Sequence, residues 1–90
     1  MPPRAAKTQD ERLKDGIKIL SELKKIGIPA DNDGFIEVKK IISRWVKDGV
    51  AIVKTKISFY PFDRYGEITL PNTSGVEPIM VLKLVPEARG

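Results

Sequence analysis

The chain has 90 residues, 41% hydrophobic and 31% charged, a balance that supports one small core and is too apolar for disorder throughout. It contains neither Cys nor His, which excludes disulfides, thiolate nucleophiles, Cys/His zinc sites and any mechanism that needs an imidazole base. Sixteen Lys and Arg against twelve Asp and Glu leave a net charge of +4, which favours polyanionic partners.

Residues 1–8 begin Met1-Pro2-Pro3-Arg4 and carry charge without the apolar stretch of a secretory signal, so a disordered basic arm and an intracellular location, cytoplasmic or nuclear, are expected. The longest unbroken apolar runs, Val50 to Val53 and Ile79 to Leu82, are far too short to cross a bilayer, and no membrane association is expected. Thr8 and Glu11 have the spacing of a capping box, which starts a helix at about Gln9. Leu13, Ile17, Leu20, Leu23 and Ile26 follow at four- and three-residue intervals and are expected to face the core. Lys24 and Lys25 oppose the negative end of that helix, Gly27 suits a left-handed residue after it, and Pro29 blocks continuation, so it ends near Ile26.

The cluster Pro29-Ala30-Asp31-Asn32-Asp33-Gly34 reads as a loop. Aligning Gly34 with the glycine of a calcium loop would place Pro29 and Lys40 at ligand positions, so calcium is rejected, and no cofactor or metal is expected. Phe35 and Ile36 are expected to make a brief extended contact. Val38, Ile41, Ile42 and Trp45 then mark the core side of a second helix of about Val38 to Lys47, closed by Asp48-Gly49. From Val50 the period changes to two: Val53, Thr55, Ile57 and Phe59 are assigned to the apolar face of a strand, and Lys54, Lys56, Ser58 and Tyr60 to its wet face. A turn-bearing connection from Pro61 to Gly66, a strand from Glu67 to Leu70, a turn from Pro71 to Gly75 and a strand from Ile79 to Val85 complete the pattern, with Pro78 at the entry to the last strand. The expected fold is α+β: two N-terminal helices, then a three-stranded antiparallel meander, winged-helix-like, forming one domain over 9–85 with a short tail at 86–90.

Gly27-Ile28-Pro29, then Asp33-Gly34-Phe35-Ile36, then Val38 and Ile41-Ile42, resemble the N-terminal winged-helix lobe of the RNA 2′-phosphotransferase family over roughly Ile19 to Ile42. The resemblance implies the fold of that lobe and an RNA or DNA partner. It does not carry over the reaction: Leu20 and Ser21 stand where the family has its arginine-histidine pair, and 90 residues leave no room for its NAD-binding lobe.

The positive charge is local. Residues 35–60 hold Lys39, Lys40, Arg44, Lys47, Lys54 and Lys56 against only Glu37 and Asp48, whereas the flanking segments nearly cancel. Lys40, Arg44 and Lys47 form a stripe opposite the apolar side of the second helix, the arrangement a helix needs to neutralise phosphates in a groove or along a backbone. The same stripe would serve a merely solvated helix face. Phe59-Tyr60-Pro61-Phe62-Asp63-Arg64-Tyr65 is rich in aromatics. Tyr60 and Tyr65 could stack on unpaired bases, with Arg64 touching the backbone, or the rings could simply close a small core.

The expected function is therefore non-enzymatic DNA or RNA binding through Lys39, Lys40, Arg44, Lys47, Lys54, Lys56, Tyr60, Arg64 and Tyr65. The alternative is an interaction or assembly subunit, a viral or complex component, that meets a protein partner or itself through the apolar segment Val76 to Val85. A basic patch that docks on an acidic protein is a third reading of the same charges.

Overall fold

A computed structural model of the chain describes residues 5–85; the arm at 1–4 and the tail at 86–90 lie outside the described residues. The elements are α1 (Gln9–Lys25), α2 (Asp33–Asp48), β1 (Ile52–Ser58), β2 (Arg64–Leu70) and β3 (Ile79–Leu84). The strands form one antiparallel sheet in the order β1-β2-β3, and the helices pack on one of its faces. This is the expected α+β arrangement.

α1 begins with the complete capping box: Thr8 Oγ1 accepts from the Glu11 N–H at 3.1 Å and Glu11 Oε1 accepts from the Thr8 N–H at 2.8 Å. It ends in a Schellman pair, with the Ile28 N–H on the Leu23 carbonyl and the Gly27 N–H on the Lys24 carbonyl, and Gly27 takes φ 97° to allow it. The buried stripe is rotated from the expected one. Gly16, Ile19 and Leu23 face inward, whereas Leu13 and Ile17 are 50% and 56% exposed and Ile26 is also exposed. Arg12 explains the rotation. Its Nε and Nη2 donate to the Val46 carbonyl at 3.2 and 3.0 Å and its Nη1 donates to the Lys7 carbonyl at 2.7 Å, so a cation occupies the turn that approaches α2.

α2 starts five residues earlier than expected, because Asn32 is its N-cap. Asn32 Oδ1 accepts from the N–H groups of Gly34 and Phe35, so Phe35 and Ile36 are helical and not extended. The buried Asn32 also donates through Nδ2 to the carbonyls of Phe59 and Tyr60, at 3.2 and 3.0 Å, joining the start of the helix to the β1–β2 hairpin. A Cβ at Gly34 would run into the Ser58 carbonyl oxygen, so the helix can meet the hairpin this closely only at a glycine. Val38, Ile42 and Trp45 are buried against Ile57, Phe59, Ile68 and Leu70 of the sheet side, as their spacing implies.

β1 does not keep one alternation. Lys54 pairs with Ile68 and Ile57 with Gly66, so Thr55 and Lys56 together oppose Glu67 alone, and Lys56 sits at φ 58°. This bulge reverses the phase: Ile52 and Lys54 lie on the helix side before it, Ile57 and Phe59 after it. Val53 and Thr55, expected on the apolar face, are exposed on the other. β2 also begins earlier than expected, at Arg64, because the hairpin turn is confined to residues 59–63.

Of the arm expected over 1–8, the described part is held in place. Ala6 bridges Thr73, the Lys7 N–H donates to the Asn72 carbonyl, and the Ser74 N–H donates to the Ala5 carbonyl. Lys7 is buried, and its Nζ lies 3.0 Å from Asp15 Oδ2. A basic residue is therefore used as structure here, since a buried ammonium is tolerated only beside a carboxylate.

Two substitutions test this architecture. Asn32→Asp keeps the capping oxygen but loses both donated bonds and buries a charge beside two carbonyls; it should lower unfolding free energy by about 2 to 4 kcal/mol in urea titrations. Lys56→Gly should raise stability by about 1 kcal/mol by relieving the left-handed backbone, and an unchanged or lower midpoint would count against the bulge geometry.

Candidate nucleic-acid interface

The outward face of α2 carries Lys39, Lys40, Ser43, Arg44 and Lys47, all exposed. At 1.5 Å rise per residue, Lys40, Arg44 and Lys47 step about 6 and 4.5 Å along the axis, so three cations fall on two turns of one rigid element. None of the four basic residues has an ion-pair partner among the described residues. Of the acids on α2, Glu37 is paired with Lys54 at 3.7 Å, whereas Asp33 and Asp48, at the two ends of the helix, form no ion pair among the described residues; elsewhere Asp15 pairs with Lys7, Glu77 with Lys18 at 3.8 Å and Glu67 with Lys83 at 3.0 Å.

The bulge decides where the strand lysines go. Lys54 faces α2 and, with Lys40 and Arg44, lines a hollow of about 540 Å³ between α2 and β1, floored by Ile41 and Ile52. Glu37 and Asp48 line it too, so its local charge is three positive groups against two negative. The Lys54–Glu37 pair is half exposed and contributes at most about 1 kcal/mol, so a phosphate can compete for Lys54 at little expense. Lys39 and Lys47 stand on the opposite flank of α2, over a shallower groove of about 300 Å³ floored by Leu13, Ile17 and Leu20 of α1. That apolar groove was not expected, because the spacing of Leu13 and Ile17 matched a core stripe.

The remaining expected residues do not join this face. Lys56 and Tyr65 lie on the opposite side of the sheet, where the Nζ atoms of Lys56 and Lys83 each stand 5.9 Å from the Tyr65 ring centroid. Tyr60 is 80% exposed at the hairpin tip, beside the N-terminus of α2 and away from Lys47. Arg64 borders a small hollow with Ile26, Phe62 and Leu84 near the end of α1. Phe59 is fully buried, and Trp45, which the spacing placed in the core, is fully buried as well, with no acceptor for its indole N–H among the described residues. The nine residues thus divide into one basic helix face with Lys54, one aromatic and lysine cluster on the far face of the sheet, and the hairpin. Lys83 belongs to the second group and was not among the expected nucleic-acid contacts; its place next to Tyr65 follows from strand pairing alone.

No family model, no curated protein and no solved structure matches the chain. The reading of this surface therefore rests on its own geometry.

Glu67 holds the Lys83 ammonium above its ordinary value of 10.5, first by accepting its hydrogen bond and then by its charge. A raised lysine stabilises the fold fully below the ordinary value and loses that contribution as pH rises through the folded one. Side-chain NMR of the lysines should find Lys83 titrating above 10.5, and Glu67→Gln should bring it down; no response to that substitution would dissociate the pair.

Proposed function

We infer that the chain is a non-enzymatic module that binds DNA or RNA through the phosphate backbone, with α2 as the contacting element and Lys54 at its flank. The observation that carries this reading is the row of exposed cations on α2, Lys39, Lys40, Arg44 and Lys47, none of which has an ion-pair partner among the described residues. Phosphate contacts by such cations release condensed counterions and supply sequence-independent affinity. The buried side of the same helix, anchored by Val38, Ile42 and Trp45, fixes the spacing of the charges, so little side-chain-bearing backbone must be ordered on binding.

The likeness of residues 19–42 to the winged-helix lobe of the RNA 2′-phosphotransferase family agrees with this reading, as does a winged-helix-like use of the β1–β2 hairpin as a wing. An intracellular location goes with a nucleic-acid partner. Stacking of bases on Tyr65 is a separate mode on the far face of the sheet, because the sheet lies between it and α2.

Fluorescence anisotropy against duplex DNA, duplex RNA and single-stranded RNA across a salt series tests the proposal. Binding should weaken linearly in log salt, and the triple variant Lys40→Glu, Arg44→Glu, Lys47→Glu should lower affinity at least roughly tenfold and reduce the salt slope by about 3. Unchanged affinity in a folded triple variant would sink the α2 assignment. Preserved duplex binding in Tyr65→Ala, with loss of single-strand binding, would separate the stacking mode from the helix mode.

A further inference from the structure

The two edges of the sheet differ in how they are guarded. β1 carries the Thr55–Lys56 bulge and two lysines, Lys54 and Lys56, features that obstruct the addition of another strand. β3 is continuous: it pairs with β2 from Ile79 to Leu84 without a register shift, and no described strand lies on its other side. The Val85 N–H donates to the Asp63 carbonyl at 3.2 Å, and hydrogen-bonded pairs alternate along an antiparallel ladder. Lys83, Val81 and Ile79 therefore bond to β2, while Met80, Leu82 and Leu84 turn their N–H and C=O groups to the open edge. Side chains there are apolar and uncovered: Leu84 is 67% exposed and Ile79 55%, with Val81 and Val85 also exposed.

We propose that a second copy of this chain pairs on that edge, β3 antiparallel to β3, making one continuous six-stranded sheet about a two-fold axis at Leu82. The outward backbone groups select this register. With Leu82 opposite its own copy, Met80 faces the partner copy of Leu84 and all three outward residues find hydrogen-bonding counterparts. A two-residue slip one way sets Leu84 against Pro78, which has no N–H to donate; a slip the other way leaves Met80 beyond the end of the partner strand.

The side chains fit the same register. On the helix side, Leu82 meets its copy and the exposed Leu84 lies against Met80; on the outer face, Ile79 lies against Val85 and Val81 against Lys83. Lys83, the one charge on β3, is held by Glu67 at 3.0 Å and does not face itself across the axis. Because Glu67 pairs with Val81, the partner's ammonium at position 83 falls in the same row as Glu67, two strand spacings or roughly 10 Å away at the backbone, so opposite charges alternate across the junction. The patch is isologous, as a two-fold interface requires. It is small against the roughly 1,200 to 2,000 Å² of standard stable interfaces, so the dimer is reversible and concentration-dependent. The proposal does not rest on nucleic-acid binding: α2 packs over β1, at the other edge.

Sedimentation velocity of the full chain, from low micromolar to near-millimolar concentration, should show the mass rising toward twice that of the monomer and no further. Leu84→Asp, at an exposed position, should raise the dissociation constant at least roughly tenfold while leaving circular dichroism unchanged. The chain has no cysteine, so single thiols report the register. Opposed residues bring their Cα atoms to about 5.5 Å, within disulfide reach, so Leu82→Cys should cross-link on mild oxidation. In Leu84→Cys the two thiols start roughly 14 Å apart and should not cross-link. A mass that stays monomeric, growth past a dimer, an unchanged dissociation constant in Leu84→Asp, or cross-linking of Leu84→Cys as readily as Leu82→Cys would each overturn the proposal. Loss of nucleic-acid binding in the α2 variants leaves all of these outcomes unaffected.

Discussion

Asn32 connects the two layers of this fold. Its Oδ1 satisfies two N–H groups at the start of α2 and its Nδ2 satisfies two carbonyls of the β1–β2 turn, so one buried amide closes hydrogen bonds on both sides of the helix–sheet junction. An amide carries two N–H donors and an accepting oxygen on one short stem; a hydroxyl has a single O–H to give, and a carboxylate could cap the helix but could not hold the turn. Gly34 lets the two layers touch, and the helix axis is thereby fixed relative to the sheet. Everything placed on α2, from the buried Trp45 to the exposed Arg44, inherits its position from that junction.

Arg12 does the corresponding work at the other end of α2. It donates to the Val46 carbonyl near the helix C-terminus and to the Lys7 carbonyl in the segment before α1, while Gly49 takes φ 71° to end α2 beside it. Together with the buried Lys7–Asp15 pair, this takes two basic residues out of the pool available to a ligand. Four exposed cations without an ion-pair partner among the described residues, Lys39, Lys40, Arg44 and Lys47, lie together on α2. Pairing shapes the distribution as well as sequence position, since four acids are engaged by Lys7, Lys18, Lys54 and Lys83, none of which is on α2 itself.

Much of the fold was legible in the residues. The capping box at Thr8 and Glu11, the Gly27-Ile28-Pro29 stop, the apolar side of α2 and the order of three strands all follow from local hydrogen bonding, restricted backbone angles and short-range periodicity. The misplaced features share a different origin. Leu13 and Ile17 match a helical stripe as well as Ile19 and Leu23 do, and the choice between overlapping stripes is made by what α2 presents, through Arg12 and the Gly16 contact with Ile42. The start of α2 was missed because an Asn before Asp-Gly reads equally as a turn and as a cap.

The bulge in β1 is the clearest division between the two levels. The sequence by itself determined that this is a small basic α+β chain with its positive charge concentrated between residues 35 and 60, because charge, periodicity and turn chemistry are properties of neighbouring residues. Which of those charges share a surface was decided only by the tertiary structure: one extra residue opposite Glu67 sends Lys54 toward α2 and leaves Lys56 beside Tyr65 on the far face. A strand alternates its side chains with period two, so a single inserted residue reverses every assignment before it, and the position of that residue is set by pairing with a strand more than ten residues away.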